Sequence, residues 1–366
     1  MTQGGVRVKP CMTRKRTAIA VLAAAAVALP LAAGVGAAAA APVKLPRKTV
    51  GFLQITGASE VAVRIEDGAK QAAKLLGWKY VRCDALGDPQ KMASCGDNLI
   101  NQRVNVILSD GVEPAVIAVQ LKKAKQRKIP WFDVGGQVTR SPYFAAMYAP
   151  DDTAMARLLH KYMLAQLPKR GAGQRTIAVQ AFDAILALKL RHDQLKRDVK
   201  GKHKIVATNQ TDFADPAGSV TRATQTVLTA NPKLDAIWAA TDFDIPAIAS
   251  VIGQRVPGKT FPKRPLVVGF YGDKANLDAI RKGRADAVVE VPLEATGFTA
   301  AEVAAAYFAK RKRIDPNLYR NTVFDTPFLI TRSNLPAPGK YARPKAGSKG
   351  DWVSYYTRKW KAEYRR

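Results

Sequence analysis

The sequence predicts an α/β fold in which the chain forms two doubly wound lobes, each built on a parallel β-sheet. Short apolar runs rich in β-favouring residues alternate with amphipathic segments of helical period along most of the 366 residues. This alternation begins again after residue 152, without a close sequence repeat. Two passes of about five strands each, in about 290 residues, therefore indicate two lobes of similar architecture.

The first strand–helix unit, residues 48–80, shows the pattern most clearly. An apolar run at 49–55 has the length of a buried parallel strand. Apolar residues then recur at helical spacing up to Gly77, a residue type that commonly follows a helix C-terminus. In sheets of this kind the loop that leaves the carboxyl end of a strand lines the ligand crevice. The segment 54–60 is therefore either a binding segment or an ordinary strand–helix connection.

The later elements follow the same alternation. Asp88 and Pro89, for example, supply a cap and a first-turn residue for the second helix. Further strands are predicted at 79–83, 104–108, 129–134, 145–149, 176–181, 204–209, 234–240, 266–271, 287–291 and 323–331. Further helices are predicted at 89–102, 114–126, 152–167, 185–199, 216–230, 246–253, 275–283 and 293–309.

Residues 1–41 are predicted to be a secretory signal peptide and not part of the fold. Basic residues at 14–16 precede an uncharged, alanine-rich run at 18–33, and small residues at 37–41 suit cleavage. A retained membrane anchor is the alternative. No cysteine ends the apolar run, so no lipid anchor is expected. We expect a cleaved signal peptide and a soluble protein exported to the periplasm.

The composition is strongly basic, with a formal net charge of +29. Loss of residues 1–41 would remove five basic residues and no acidic residue, and so leave +24. Such a charge favours polyanions, anionic membrane surfaces or anionic ligands. Export argues against a chromosomal role, so no nucleic acid partner is predicted.

The cysteines indicate one disulfide. Cys11 lies within the predicted signal peptide, which leaves Cys83 and Cys95 as an even pair. An exported protein meets an oxidising compartment, so these two residues are expected to be bonded to each other. Their spacing and the lack of neighbouring histidines argue against a metal site.

The segment 336–366 differs from the rest of the chain. It begins with prolines and a glycine, is basic, and then places aromatic residues at roughly helical spacing. These aromatic residues are Trp352, Tyr355, Tyr356, Trp360 and Tyr364. We expect a terminal helix that docks its aromatic face on a lobe. Contact with a membrane surface, a partner or a polyanion is the alternative.

Several motifs resemble a known family in their order and spacing. They include KTVGFLQI, QRVNVILS, KIPWFDVGG, NPKLDAIWAATD and VVGFYG, within residues 48–335. The chain resembles the type I periplasmic binding proteins of the sugar-binding branch, the group of the ribose-binding protein. The resemblance implies two Rossmann-like lobes joined by a three-crossing hinge near 149–151, 291–293 and 322–325. It also implies a monomer that closes over a solute and presents it to the transmembrane subunits of an ABC permease.

The resemblance also implies the extent of each lobe. The N-terminal lobe would comprise 47–150 with 292–322. The C-terminal lobe would comprise 151–291 with 323–335, and the basic aromatic tail would follow at 336–366.

The resemblance suggests ligand-binding positions, only part of which keep the family's residue types. The family's Asp-Arg pair falls on Gly135 and Gly136, and its aspartate after the VVGF strand falls on Tyr271. We therefore expect a ligand less hydroxylated than a simple sugar, aromatic or carboxylated, with Lys189 or Arg191 as a counter-charge. The predicted ligand-binding residues are Gln54, Ser59, Glu60, Asp110, Gly135, Lys189, Phe213, Thr241, Asp242 and Tyr271.

The sequence does not suggest catalysis. His160, His192 and His203 are far apart, and no nucleophile elbow, P-loop or H-E-x-x-H helix is present. No catalytic residue, metal site or cofactor is predicted. A periplasmic ligand sensor for a membrane receptor is the alternative function, and a secreted α/β enzyme is a third.

Overall fold

The computed structural model describes residues 41–212, 214–316, 324, 326–343 and 351–365. The predicted signal peptide, apart from its last residue, lies outside this part of the chain. Most of the predicted crossing at 322–325 lies outside it as well. The α/β class is confirmed, because two large β-sheets and a small two-stranded sheet alternate with helices along the described residues.

The first large sheet has five parallel strands in the order β3-β2-β4-β5-β6. We call this sheet and the helices packed on it lobe 1. Its elements, together with the short strand that precedes them, are β1 (Val43–Lys44), β2 (Thr49–Gln54), α1 (Glu60–Leu76), β3 (Lys79–Asp84), α2 (Pro89–Asn101), β4 (Val106–Asp110), α3 (Ala118–Gln126), β5 (Trp131–Val134) and β6 (Ala146–Tyr148).

The second large sheet has six strands in the order β12-β11-β10-β9-β7-β8. We call this sheet and its helices lobe 2. The elements from α4 onwards are α4 (Asp152–Gln166), β7 (Thr176–Ala181), α5 (Leu186–Val199), β8 (Lys204–Gln210), α6 (Pro216–Ala230), β9 (Ala236–Ala239), α7 (Asp244–Arg255), β10 (Leu266–Phe270), α8 (Lys274–Arg281), β11 (Ala287–Glu290), α9 (Glu294–Lys310), β12 (Phe328–Thr331), α10 (Trp352–Glu363) and β13 (Tyr364–Arg365).

One strand of lobe 2 corrects the prediction of an entirely parallel sheet. β12 pairs antiparallel with β11 at the sheet edge. A parallel neighbour would need a crossover helix on the same sheet. The helix between these strands, α9, packs instead against α1 and the strands of lobe 1. The chain therefore enters β12 from α9 on lobe 1. This allows β12 to lie antiparallel at the edge of an otherwise parallel sheet.

Local sequence explains where helices begin and end. The Ser59 side chain accepts a hydrogen bond from the Ala62 N–H at the start of α1, and Gly77 ends that helix with φ = 72°. α3 begins at Ala118, four residues later than predicted, because residues 114–117 form a turn. That turn is closed by a hydrogen bond from the Val116 N–H to the Glu113 carbonyl.

α1 and α9 pack closely because glycines face each other. A Cβ atom on Gly68 would lie 2.1 Å from the Glu294 carbonyl oxygen, and one on Gly297 would lie 2.5 Å from the Ala69 nitrogen. α9 is thereby held on lobe 1, although it follows a strand of lobe 2. The lobe boundaries drawn from the sequence stay a prediction.

The disulfide and the docked terminal helix are confirmed. Cys83 at the end of β3 is bonded to Cys95 of α2, with Cα atoms 5.5 Å apart. The aromatic face of α10 is buried against α9, where Phe298 stacks on Tyr356 and Trp360 with ring centroids 5.5 and 5.9 Å away. β13 then pairs with β1. No helix within the described residues is long and apolar enough to cross a bilayer.

Candidate functional site

A cavity lies beyond the carboxyl ends of the strands of both large sheets, and residues of both lobes line it. The volume of this cavity is about 110 Å³. Parallel α/β sheets place their ligand crevices at this edge. The lining residues are Ile55, Thr56, Ser59, Val61, Ala62, Ile65, Asp110, Gly111, Gly135, Gly136, Ile185, Ala187, Leu188, Arg191, Thr241, Asp242, Phe243 and Tyr271.

Asp110 is the polar group at the end of β4 in lobe 1. Its Oδ1 accepts a 2.6 Å hydrogen bond from the Ile55 N–H. Its Oδ2 is buried and has no hydrogen-bond partner among the described residues, and the residue is only 4% exposed. Burial raises the pKa of the Asp110 carboxyl well above its usual range. The cavity is therefore lined by a residue with one buried carboxyl oxygen that lacks a hydrogen-bond partner in the described structure.

Gly135 brings the backbone close to α1. Its φ is +87°, and an added Cβ would lie 2.3 Å from Cδ1 of Ile65. No L side chain fits this conformation and this approach without strain. Gly135 therefore leaves an apolar wall formed by Ile65 at this point of the cavity.

Arg191 of α5 is the basic residue that lines the cavity, and it is fully buried. Its Nε donates to Asp152 Oδ1 at 2.7 Å, its Nη1 donates to the Ala240 carbonyl at 3.1 Å, and its Nη2 contacts the Tyr271 hydroxyl. The guanidinium also stacks over the Phe270 ring, 4.3 Å from its centroid. The charge of Arg191 is balanced by Asp152 and its donors are engaged. Arg191 therefore holds the Tyr271 hydroxyl in place and is not free to pair with a ligand.

Thr241 and Asp242 follow β9 in lobe 2. The Thr241 hydroxyl is buried beside the Asp244 carboxyl. Asp242 Oδ2 accepts a 3.0 Å hydrogen bond from the Ser59 hydroxyl of lobe 1. Burial raises the pKa of the Asp242 carboxyl. This pair connects the two lobes at the wall of the cavity.

Other contacts between the lobes surround the cavity. Arg64 of α1 is buried and pairs with Asp273 at 3.4 Å and Glu290 at 2.9 Å, both in lobe 2. Glu60 accepts a 3.2 Å hydrogen bond from the Lys274 N–H. The lobes are therefore closed against each other in this structure.

The structure brings six of the predicted ligand-binding residues to the cavity and leaves others elsewhere. Gln54, Glu60 and Lys189 do not line it, and Phe213 lies outside the described residues. The six that line it are Ser59, Asp110, Gly135, Thr241, Asp242 and Tyr271.

The position of Lys189 on α5 keeps its side chain out of the cavity. Leu188 and Arg191, three residues apart on α5, share the face towards the cavity. Lys189 points away, has a side chain 48% exposed and pairs with Asp193. It cannot serve as the expected counter-charge.

Gln54 and Glu60 have structural partners instead. Gln54 is the last residue of β2, and its Oε1 accepts from Arg82 Nε at 2.8 Å. Neighbouring residues at a strand end point to opposite sides, so Ile55 faces the cavity in its place. Glu60 contacts Lys274 across the lobes, outside the cavity.

The apolar lining was mostly not predicted. Phe243 lines the cavity, whereas Trp131 is buried in the core and donates to Ser109. Ile185 and Leu188 were missed, although their spacing of three residues at the start of a helix is a detectable signal. Within the described part of the chain, no group of three His, Cys, Asp or Glu side chains could hold a metal ion.

Comparisons with known proteins agree with this geometry. A family model described as a periplasmic binding protein domain matches residues 50–312. The ribose import binding protein of Salmonella typhimurium is 25% identical over 261 residues, which cover 71% of this chain and 84% of that protein. The ribose import binding protein of Bacillus subtilis is 22% identical over 256 residues, covering 70% and 80%.

Solved structures share the fold. An ABC transporter solute-binding protein from Mycobacterium smegmatis with bound glycerol has a TM-score of 0.70 and 24% identity, covering 82% of this chain and all of that one. A periplasmic ribose ABC transporter protein from Conexibacter woesei has a TM-score of 0.68 and 20% identity, covering 81% and 95%. The chain therefore belongs to the periplasmic binding protein domain family, in the sugar-binding branch of the type I periplasmic binding proteins.

Proposed function

We propose that this protein is the exported solute-binding component of an ABC importer, and that its lobes close over a small, sugar-like solute. The cavity that both lobes line carries this proposal. A solute there would contact both lobes at once only when they are closed, and so would shift the population towards the closed form. We propose that the solute leaves chemically unchanged, because the relatives are named as import binding proteins.

The size and lining of the cavity favour a solute with fewer hydroxyl groups than ribose. The cavity, at about 110 Å³, has room only for a small solute. Most of its wall is apolar, with Ile55, Ile65, Ile185, Leu188 and Phe243 facing the space. A carboxylated solute is disfavoured, because Arg191 is already paired with Asp152.

The remaining parts of the proposal follow from the family. The relatives are named as import binding proteins or ABC transporter components. By analogy we propose a monomer in the periplasm, after cleavage of the signal peptide, with an ABC permease as its partner and no nucleic acid partner. A sensor that presents its closed form to a membrane receptor would use the same cavity and remains the second candidate.

The test combines ligand identification with a measurement of shape. Small molecules released from protein purified without denaturation are identified by mass spectrometry, and ribose, arabinose and glycerol are titrated by calorimetry. X-ray scattering should show a smaller radius of gyration when a solute binds. A Gly136→Leu variant should abolish binding, because its Cβ has ordinary space, 3.7 Å from Gly111 Cα, and its side chain would enter the cavity.

A matched control is Val119→Leu, at an exposed position of lobe 1. It should bind and compact like the unaltered protein. If no solute binds, or if scattering is the same with and without a bound solute, the proposed function is wrong.

A further inference from the structure

The titratable groups that line the cavity are mainly acidic, whereas the whole protein is basic. The full sequence has a formal net charge of +29. The cavity, in contrast, is lined by the carboxyl groups of Asp110 and Asp242, and its lining arginine, Arg191, is balanced by Asp152. Among the described residues, no lysine or arginine forms an ion pair with Asp110 or Asp242. We infer that the solute carries a protonated amine that pairs with these carboxylates; this inference rests on the proposed function.

Asp110 is the residue that we expect to contribute most to recognition of the amine. One of its oxygens is fixed by the Ile55 N–H, which sets the direction of the carboxyl group. The other oxygen is buried without a partner in the described structure and belongs to a residue that lines the cavity. A buried acceptor without a donor costs free energy, and an ammonium group would supply both the donor and the charge.

Asp242 lies in surroundings that are also acidic. Behind it in lobe 2 is Asp273, whose carboxyl shares Arg64 with Glu290 and Glu294. One guanidinium thus serves three carboxyl groups, and no positive charge is left over for Asp242. The field at this end of the cavity therefore favours a cation.

Thr241 adds a neutral acceptor. Its buried hydroxyl lies beside the Asp244 carboxyl, and the residue lines the same cavity. An ammonium group has three donors, so Asp110, Asp242 and Thr241 can each be regarded as acceptors for such a group. The apolar wall would then cover the rest of the solute.

Other head groups satisfy these residues less well. A hydroxyl can donate one hydrogen bond, but bonds with an ionised partner are roughly twice as strong as neutral ones. A bound ammonium would favour the ionised form of Asp110 and Asp242, against the burial that raises their pKa values in the solute-free protein. A carboxylate solute would gain no such pairing, because the lining arginine is already balanced by Asp152. The expected order of affinity for one apolar body is therefore amine, then alcohol, then carboxylate.

The experiment uses three probes with the same body. Cyclohexylamine, cyclohexanol and cyclohexanecarboxylate share one small apolar ring and differ only in the head group. They are titrated into the full chain by calorimetry at pH 7, and X-ray scattering follows lobe closure. We expect cyclohexylamine to bind at least about 10-fold more tightly than cyclohexanol, and cyclohexanecarboxylate to bind most weakly.

Substitutions test whether the Asp110 carboxylate causes the preference for the amine. Asp110→Asn should weaken cyclohexylamine binding by about 10-fold or more and change cyclohexanol binding much less. Asp278→Asn, which removes an exposed carboxylate from α8, should leave both affinities unchanged. Circular dichroism confirms that each variant is folded before titration.

The outcomes separate the inference from the proposed function. The inference is overturned if cyclohexanol or the carboxylate binds as tightly as the amine, if the amine fails to bind, or if Asp110→Asn leaves the amine preference intact. If ribose, arabinose or glycerol binds and compacts the protein while the amine does not bind, only the inference fails. If none of these six compounds binds, both fail.

Discussion

Asp244, the first residue of α7, is a buried carboxyl with neutral partners. Its Oδ1 accepts from the Thr211 hydroxyl and its Oδ2 from the Thr241 N–H, each at 3.0 Å. Burial raises its pKa to about 7, and the nearby Asp242 adds to the shift. Protonation of Asp244, which bonds to the Thr241 N–H, should therefore make the stability of the protein depend on pH.

The first prediction concerns this pH dependence. Between about pH 4 and pH 7 the folded state keeps a proton on Asp244 that the unfolded chain releases, so the free energy of unfolding falls as the pH rises. The full loss, of the order of 4 kcal/mol, is reached above about pH 7 and is absent below about pH 4. Asp244→Asn should remove this contribution, so urea unfolding of the variant should depend less on pH across that window.

The control for this prediction is Asp278→Asn, because Asp278 is 45% exposed and pairs with Lys282 on the surface. Its unfolding curves should follow those of the unaltered protein at every pH. Equal pH profiles for Asp244→Asn and the unaltered protein would contradict the assignment to Asp244.

Single residues also show how far the sequence could predict the cavity. Asp110, Thr241 and Asp242 could be placed there because they directly follow strands, and parallel strands end at one edge of a sheet. The choice between Lys189 and Arg191 could not be made, since it depends on the rotation of α5 against its sheet. That rotation is fixed by tertiary packing and leaves no local signal.

At the scale of elements, the glycine contact between α1 and α9 gives the second prediction. A methyl group at Gly68 would meet the Glu294 backbone at 2.1 Å, so Gly68→Ala should force these helices apart. Overpacking of this kind typically costs about 1–3 kcal/mol. Denaturant unfolding should show this loss as a lower midpoint.

Gly253→Ala in α7 is the matched control. There the nearest atom is the Arg284 Nε, 2.9 Å away on a flexible side chain that can move. Alanine also has a helix propensity better than glycine by about 1 kcal/mol. This variant should be as stable as the unaltered protein or more stable; a similar loss in both variants would contradict the role of the close approach.

The third prediction concerns α10. Tyr356 is 2% exposed, stacks on Phe298, and its hydroxyl lies 2.9 Å from the Thr299 hydroxyl. Tyr356→Ala should lower the free energy of unfolding by about 3–5 kcal/mol, the range for large aromatic residues in a core. Lys361→Ala, on the exposed face of the same helix, should change it by less than about 0.5 kcal/mol. If both variants were equally stable, α10 would not be part of the core.

Elements with strong local signals were predicted well, and those without were not. The caps and turns of most helices are encoded within a few residues, as Ser59 and Gly77 show for α1. β1 and β13 each have two residues, too few to show a strand period. The antiparallel direction of β12 depends on where α9 packs, and that is a property of the tertiary structure.

At the scale of the whole molecule, closure of the lobes supplies hydrogen-bond acceptors for the first N–H groups of α5. α5 in lobe 2 has no capping side chain of its own at Ile185. Instead, Glu113 of lobe 1 accepts from the Leu186 N–H at 3.3 Å, and the Gln137 carbonyl accepts from the Ala187 N–H at 3.1 Å. The first N–H groups of a helix need such partners, and the dipole favours a carboxylate there. These bonds exist only while the lobes are closed.

The fourth prediction follows from this arrangement. Glu113 does not line the cavity, yet Glu113→Ala should weaken solute binding, because it removes the bond to the Leu186 N–H of lobe 2. The substitution also removes an exposed bond from the Thr139 N–H within lobe 1. A capping interaction is typically worth about 0.5–2 kcal/mol, so the apparent dissociation constant should rise about 2-fold to 30-fold. The radius of gyration at a subsaturating solute concentration should rise with it. The free energy of unfolding of the solute-free protein should change by less than about 0.5 kcal/mol, because the bond lost within lobe 1 is exposed.

Asp88→Ala provides the comparison, because Asp88 caps α2 within lobe 1 and donates nothing to closure. Loss of that cap should lower the free energy of unfolding by about 1 kcal/mol and leave the affinity unchanged, since open and closed forms lose it equally. The two variants thus separate stability from closure. Should Glu113→Ala lower stability like Asp88→Ala and bind solute with unchanged affinity, the cap would be present in the open form too, and closure would have to be stabilised by other contacts.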